Sequence, residues 1–64
     1  MEVRYYSLLC NYKTEFPEIK RYFMKNGIPF ETGQFNNKMT MVIYSCTELD
    51  RLNFLHFTLH KFGW

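Results

Sequence analysis

The segment from Thr47 to Phe62 reads as a helix that is apolar nearly all round, and it lies in a chain of only 64 residues. Thr47, with Asp50 three positions later, forms a capping box in which a shorter acid stands in for glutamate. At about 100° per residue, Leu52, Leu55, Leu59 and Phe62 fall in one stripe, with Leu49 and His56 beside it. Phe54 and Phe57 fall on another side, which Trp64 extends if the helix continues. A helix that is apolar all round is ordinarily buried all round. Yet a chain this short buries only about 60% of the surface its unfolded form exposes. The leucine stripe suffices to pack on a sheet, so the sequence predicts that stripe as core and Phe54, Phe57, His60 and Trp64 as a partner-binding surface.

The rest of the chain supplies the layer beneath. Glu2 to Tyr12 is rich in Val, Tyr and Leu and reads as a strand with two apolar faces, Val3, Tyr5 and Leu9 on one and Tyr6, Leu8 and Cys10 on the other. Arg4 shares the second face, which assigns the first to the core. Thr14 to Asn26 reads as an amphipathic helix, with Thr14 as N-cap, Pro17 in the first turn and Gly27 ending it. Its apolar side is Phe16, Ile19, Tyr22 and Phe23. Ile28 to Phe35 reads as an edge strand, because proline at 29 cannot donate to a sheet ladder. Asn36 and Asn37 mark a hairpin turn, since asparagine tolerates positive φ. Lys38 to Cys46 is the best strand and is expected at the centre.

The order is β-α-β-β-α, a single α+β domain spanning 1–64. The least contorted topology is a three-stranded antiparallel sheet in the order 2-3-1 with both helices on one face. In element order this resembles a ferredoxin-like fold lacking its last strand, a likeness that carries no function. The main competitor pairs the first two strands in parallel. In the 2-3-1 arrangement the first strand lies at an edge with unpaired backbone groups. Its only charges, Glu2 and Arg4, stand at its beginning, so it is open to strand addition.

The expected open sheet face shows Arg4, Tyr6, Thr40, Val42 and Tyr44. Aromatics beside a basic residue on an exposed sheet can stack nucleic-acid bases. The net charge is only +2, and Lys13, Lys20, Arg21 and Lys25 are interleaved with Glu15 and Glu18. Nucleic-acid binding through that face is therefore the alternative reading rather than the first.

Catalytic equipment is sparse. His56 and His60 could share a metal ion across one helical turn, but Phe57 stands where a zinc protease places glutamate, and no cysteine pair is nearby. No metal or other cofactor is expected. Cys46 precedes a helix N-terminus, which favours thiolate, but no base or oxyanion site accompanies it. Cys10 and Cys46 are expected to be buried, reduced and on the order of 20 Å apart on antiparallel strands. No glycine-rich phosphate loop or Ser-His-Asp order occurs, so the chain reads as non-catalytic.

Neither an export signal nor an apolar run of membrane-spanning length is evident, which predicts a cytoplasmic protein with no membrane partner. Alanine is absent, while residues with AT-rich codons (Phe, Tyr, Met, Ile, Asn, Lys) make up nearly half the chain. That usage points to an AT-rich genome of the kind many phages carry. The sequence thus predicts a small protein–protein interaction module that forms a homodimer or larger assembly. Its expected role is a phage accessory protein, an inhibitor or host-defence antagonist acting on an unidentified protein in the host cytoplasm. Its predicted partner-binding residues are Phe54, Phe57, His60, Trp64, Arg4, Tyr6 and Tyr44.

Overall fold

Alternation along the best strand shows how the sheet is laid down. In the computed structural model, which describes residues 2–64, Thr40, Val42, Tyr44 and Cys46 are buried while Met41 and Ile43 face outward. These residues belong to β3 (Met39–Thr47), the third strand in the order β1 (Val3–Asn11), α1 (Phe16–Lys25), β2 (Phe30–Gln34), β3, α2 (Glu48–Phe62). β3 pairs antiparallel with both other strands, giving the order β1-β3-β2, which is 2-3-1 read from the opposite edge. Pro29 lies just outside β2, where its carbonyl accepts the N–H of Ser45 at 3.1 Å.

One buried cluster joins the layers. Ile19 and Phe23 from α1 and Phe54 from α2 meet Cys10, Val42, Tyr44 and Cys46 of the sheet. Phe23 packs on Phe30 and Tyr44, with ring centres 5.6 and 4.8 Å away, which sets α1 over β2 and β3. Phe54 packs on Tyr44 at 5.3 Å, and the Arg51 guanidinium lies 4.5 Å above the Tyr6 ring, which sets α2 over β3 and β1. Both helices therefore cover the even-numbered face of the sheet.

That reverses the face expected from sequence. Tyr44 is 3% exposed and Tyr6 is half-buried on the core, whereas Val3, Tyr5 and Leu9 point to solvent. Arg4, which had argued against burying the even face, stands near the start of β1, where it is exposed and paired with Glu2 at 3.0 Å. The orientation of α2 is reversed as well. Phe54 is 0% exposed and Phe57 is half-buried, while Leu49, Leu52, Leu55 and Leu59 are exposed. A buried aromatic ring removes 150–250 Å² or so from water and gains ring contacts besides. Phe54 finds four rings, Tyr22, Phe23, Tyr44 and Phe57.

Caps and turns also show where local chemistry prevailed. The Thr47 hydroxyl accepts the N–H of Asp50 at 3.2 Å, and Gly63, at φ +75°, closes the far end of α2 by donating its N–H to Leu59 at 2.9 Å. α1 starts one residue later than expected, with Glu15 in place of Thr14 at the N-cap position and no side-chain cap, while Asn11 Oδ1 accepts the N–H groups of Lys13 and Thr14 in the turn before it. In the β2–β3 hairpin no residue has positive φ, the conformation expected of Asn36 and Asn37. Instead Asn36 Oδ1 accepts the N–H groups of Lys38 and Met39, both at 2.8 Å.

Candidate functional site

Two large patches of apolar side chain remain after the core is filled. One is the open sheet face, where Val3, Tyr5, Leu9, Met41 and Ile43 stand without a covering layer, Tyr5 at 81% exposure. The other is the outer side of α2, where Leu52 is 55% and Leu59 52% exposed. The accessible surface is 4797 Å², against about 4,400 Å² expected for a monomer of this mass. The excess is modest, and both patches are rich in exposed large apolar side chains, a feature that marks interfaces.

The second patch adjoins the free edge of β1. Phe57 of α2 stacks on Tyr22 of α1 at 4.5 Å, so this side of α2 faces the neighbouring helix. Arg51 lies over β1 through Tyr6. Continuing round the helix past Arg51 at about 100° per residue reaches Leu55, then Leu59 and Leu52. The leucines therefore flank the side of α2 that overhangs the β1 edge. The backbone at that edge can be assigned too. Tyr12 donates its N–H to Lys38 at 2.8 Å just past the β1–β3 ladder. Antiparallel pairs alternate, so the even-numbered residues of β1 bond inward and the odd-numbered ones turn N–H and C=O to the open edge. Asn11 fits this assignment, since its outward N–H donates to Glu15 Oε1 at 2.7 Å. Val3, Tyr5, Ser7 and Leu9 are left with outward backbone groups on an edge that no other strand joins.

Glu15 also holds the chain's last residue: its Oε2 accepts the indole N–H of Trp64 at 3.0 Å. Trp64 is 42% exposed and packs on Phe62, with ring centres 5.2 Å apart. His56 and His60 are exposed, with rings 4.3 Å apart. Among the described residues no group of three or more His, Cys, Asp or Glu side chains converges on one point. Of the seven residues expected to bind a partner, Arg4, His60 and Trp64 thus lie at the surface in separate places. Phe57 and Tyr6 are half-buried, and Phe54 and Tyr44 are core. The exposed apolar residues outside that expectation are the leucines of α2 and the odd-numbered face of β1. Their signal was present in the sequence, but it was assigned to the interior.

The thiols are not poised for chemistry. Burial, with Glu15 adding to it, pushes the Cys10 thiol up to about 11. Burial likewise raises Cys46, with Asp50 adding to it and Arg51 opposing, so desolvation outweighs any benefit from the adjoining helix N-terminus. The register sets Cys10 opposite Thr40, six positions from Cys46 on β3, which corresponds to about 20 Å. The two are free thiols. Tyr44 is raised by burial and partly relieved by a hydrogen bond with Arg51. A cleft of about 440 Å³ between the β1–α1 turn and the hairpin is lined by Tyr12, Phe16, Gln34 and Asn36, with Lys13 as its one charged group. Its lining holds no carboxylate, histidine or cysteine.

These features define a small α+β module with two uncovered apolar surfaces. Comparison with protein-family models, curated proteins and solved structures finds no match. No helix among the described residues is long and apolar enough to cross a membrane.

Proposed function

We propose that the chain is a non-catalytic protein-binding module that self-associates. The observation that carries this reading is the outer side of α2, a run of leucines exposed beside an unpaired strand edge. In element order the chain matches a ferredoxin-like unit without its last strand, and that strand would lie against β1, beneath the side of α2 that bears the leucines. On this reading the module exposes the surface that a completed fold would cover, and a second chain covers it. The AT-rich residue usage extends the proposal to a phage accessory protein that occupies the surface of a host enzyme or defence factor in the host cytoplasm.

Base stacking by an aromatic and basic sheet face loses its site, because Tyr44 is buried and Tyr6 lies beneath Arg51. The strand residues of the open face include neither Lys nor Arg. Sedimentation equilibrium across the micromolar range tests the proposal. A dimer or larger assembly is expected, and a monomer at every concentration overturns it.

A further inference from the structure

The geometry points to one occupant for the β1 edge and the leucines of α2 together, a second copy of this chain. We infer that β1 pairs antiparallel with β1 of the partner about a two-fold axis at Tyr6, making a continuous six-stranded sheet in which the two α2 helices touch. The inference rests on the proposed self-association and names its surface.

The edge is complementary to itself about that axis. The outward backbone groups belong to Val3, Tyr5, Ser7 and Leu9, a set centred on residue 6. Pairing about Tyr6 sets Val3 opposite Leu9 and Tyr5 opposite Ser7, so the four residues satisfy one another. The next outward N–H, that of Asn11, is already held by Glu15. Charge offers no obstacle. Glu2 and Arg4 neutralise each other at 3.0 Å and fall opposite Cys10 and Leu8, so no like charges meet. Nor does the strand carry the lysine or proline that commonly blunts an exposed edge.

The helices come to the right distance without adjustment. α2 lies over β3 and β1, so its axis is about one strand spacing from a two-fold placed just outside β1. Two such helices are then about 10 Å apart, at the upper end of normal helix packing. Their level along the axis is also set. Arg51 lies over Tyr6, and Phe54 lies over Tyr44, which is directly opposite Tyr6. Residue 52 is therefore near the axis; at about 100° per residue Leu55 and Leu59 point toward the partner helix and Leu52 sits at the rim above them, while Leu49 lies on the far side. The footprint, roughly 23 by 20 Å from the paired strand length and the thickness of one sheet plus one helix, buries close to the 1,000 Å² or so that marks a specific interface. An area at that threshold belongs to the weak or transient class of interface rather than the obligate one.

The test compares two exposed positions by sedimentation equilibrium, with circular dichroism reporting the fold. Leu52→Glu is expected to weaken the dimer about tenfold or more and leave the monomer folded, while Ile43→Glu on the open sheet face leaves the dimer intact. Should Leu52→Glu unfold the chain, Leu52→Gln takes its place. Covalent trapping checks the register. An equimolar mixture of Tyr5→Cys and Ser7→Cys chains is expected to form a disulfide-linked heterodimer under mild oxidation, with Cys10 and Cys46 protected by burial. Stacked sheets lie about 10 Å apart, beyond the roughly 7 Å that a disulfide can span. If Ile43→Glu dissociates the dimer and Leu52→Glu does not, self-association stands but this surface is wrong. If Ser7→Cys links only to itself, the axis at Tyr6 is wrong. A wild-type chain that never dimerises removes the broader proposal as well.

Discussion

α1 and α2 lie side by side on the same sheet, and each sends one phenylalanine to its centre. Phe23 and Phe54 are both fully buried, with rings 4.8 Å apart. Behind them the helices differ. α1 turns Lys20, Arg21 and Lys25 to water, with Met24 the one large apolar residue it leaves exposed. α2 turns Leu49, Leu52, Leu55 and Leu59 to the same solvent. A single-layer fold can fully satisfy a helix of the first kind and can satisfy only one side of the second. The orientation of α2 is fixed by which side fits better, and what remains outside is apolar surface free to bind.

The strongest challenge to this contrast is truncation on the two sides of α2. Phe54→Ala removes a ring held among Tyr22, Phe23 and Tyr44 and should cost about 3–5 kcal/mol, as much as a core this small supplies in total. Leu52→Ala, measured by urea denaturation at concentrations below association, should cost under about 1 kcal/mol, the range of exposed substitutions. Equal losses at the two positions would mean that α2 buries both sides.

A second challenge uses the thiols beneath the two helix entries, Cys10 near Glu15 and Cys46 near Asp50. Burial raises both, Cys10 from 9.0 to about 11. A thiol that stays neutral to higher pH in the folded state lends stability that is complete below its unfolded value and lost as pH climbs through the folded one. Stability should therefore decline between pH 9 and 11. The decline should shrink in Cys10→Ser relative to that variant's own value at neutral pH. At pH 8 both thiols should react with iodoacetamide far more slowly in the native protein than in urea. Fast native labelling of Cys10 would show that the β1–α1 corner is open.

The helix starts separate more gently. Thr47→Ala removes the hydroxyl that accepts the Asp50 N–H and should cost about 1 kcal/mol. Thr14→Ala should change thermal stability little, because α1 begins after Glu15 and takes no side-chain cap from residue 14. A comparable loss at Thr14 would restore the N-cap that the sequence assigns to it.

These contrasts explain what was legible in the chain. The element order, the central β3, the edge position of β2, the Thr47 cap and the Gly27 helix end could be read, because each rests on one residue or a local period. The apolar side of α1 could be read because polar residues stand opposite it. The core faces of β1 and α2 could not, since both sides of each are apolar and period alone cannot choose between them. The choice was made by ring packing across elements: Phe54 against Tyr22 and Phe23, more than thirty positions earlier in the chain, and Arg51 over Tyr6. The proposed surface differs from the expected one for the same reason. Its residues are the complement of the core, so reversing one reverses the other.

The most direct test of the contrast between the helices expects only a small effect per position. Replacing Leu49, Leu52 and Leu59 together with glutamine gives α2 the polar outer side that α1 has. Glutamine is nearly as good a helix former as leucine, and each position is more than half exposed. The monomer should keep its near-ultraviolet dichroism and change stability by only about 0.5 kcal/mol per position, the range for surface sites. Association should fall away over the same micromolar range in which the parent dimerises. An unchanged monomer that no longer associates would show that these leucines serve an interface and not the fold. A loss of several kcal/mol, on the scale of a core truncation, would show that they hold the fold together and that α2 has no free side.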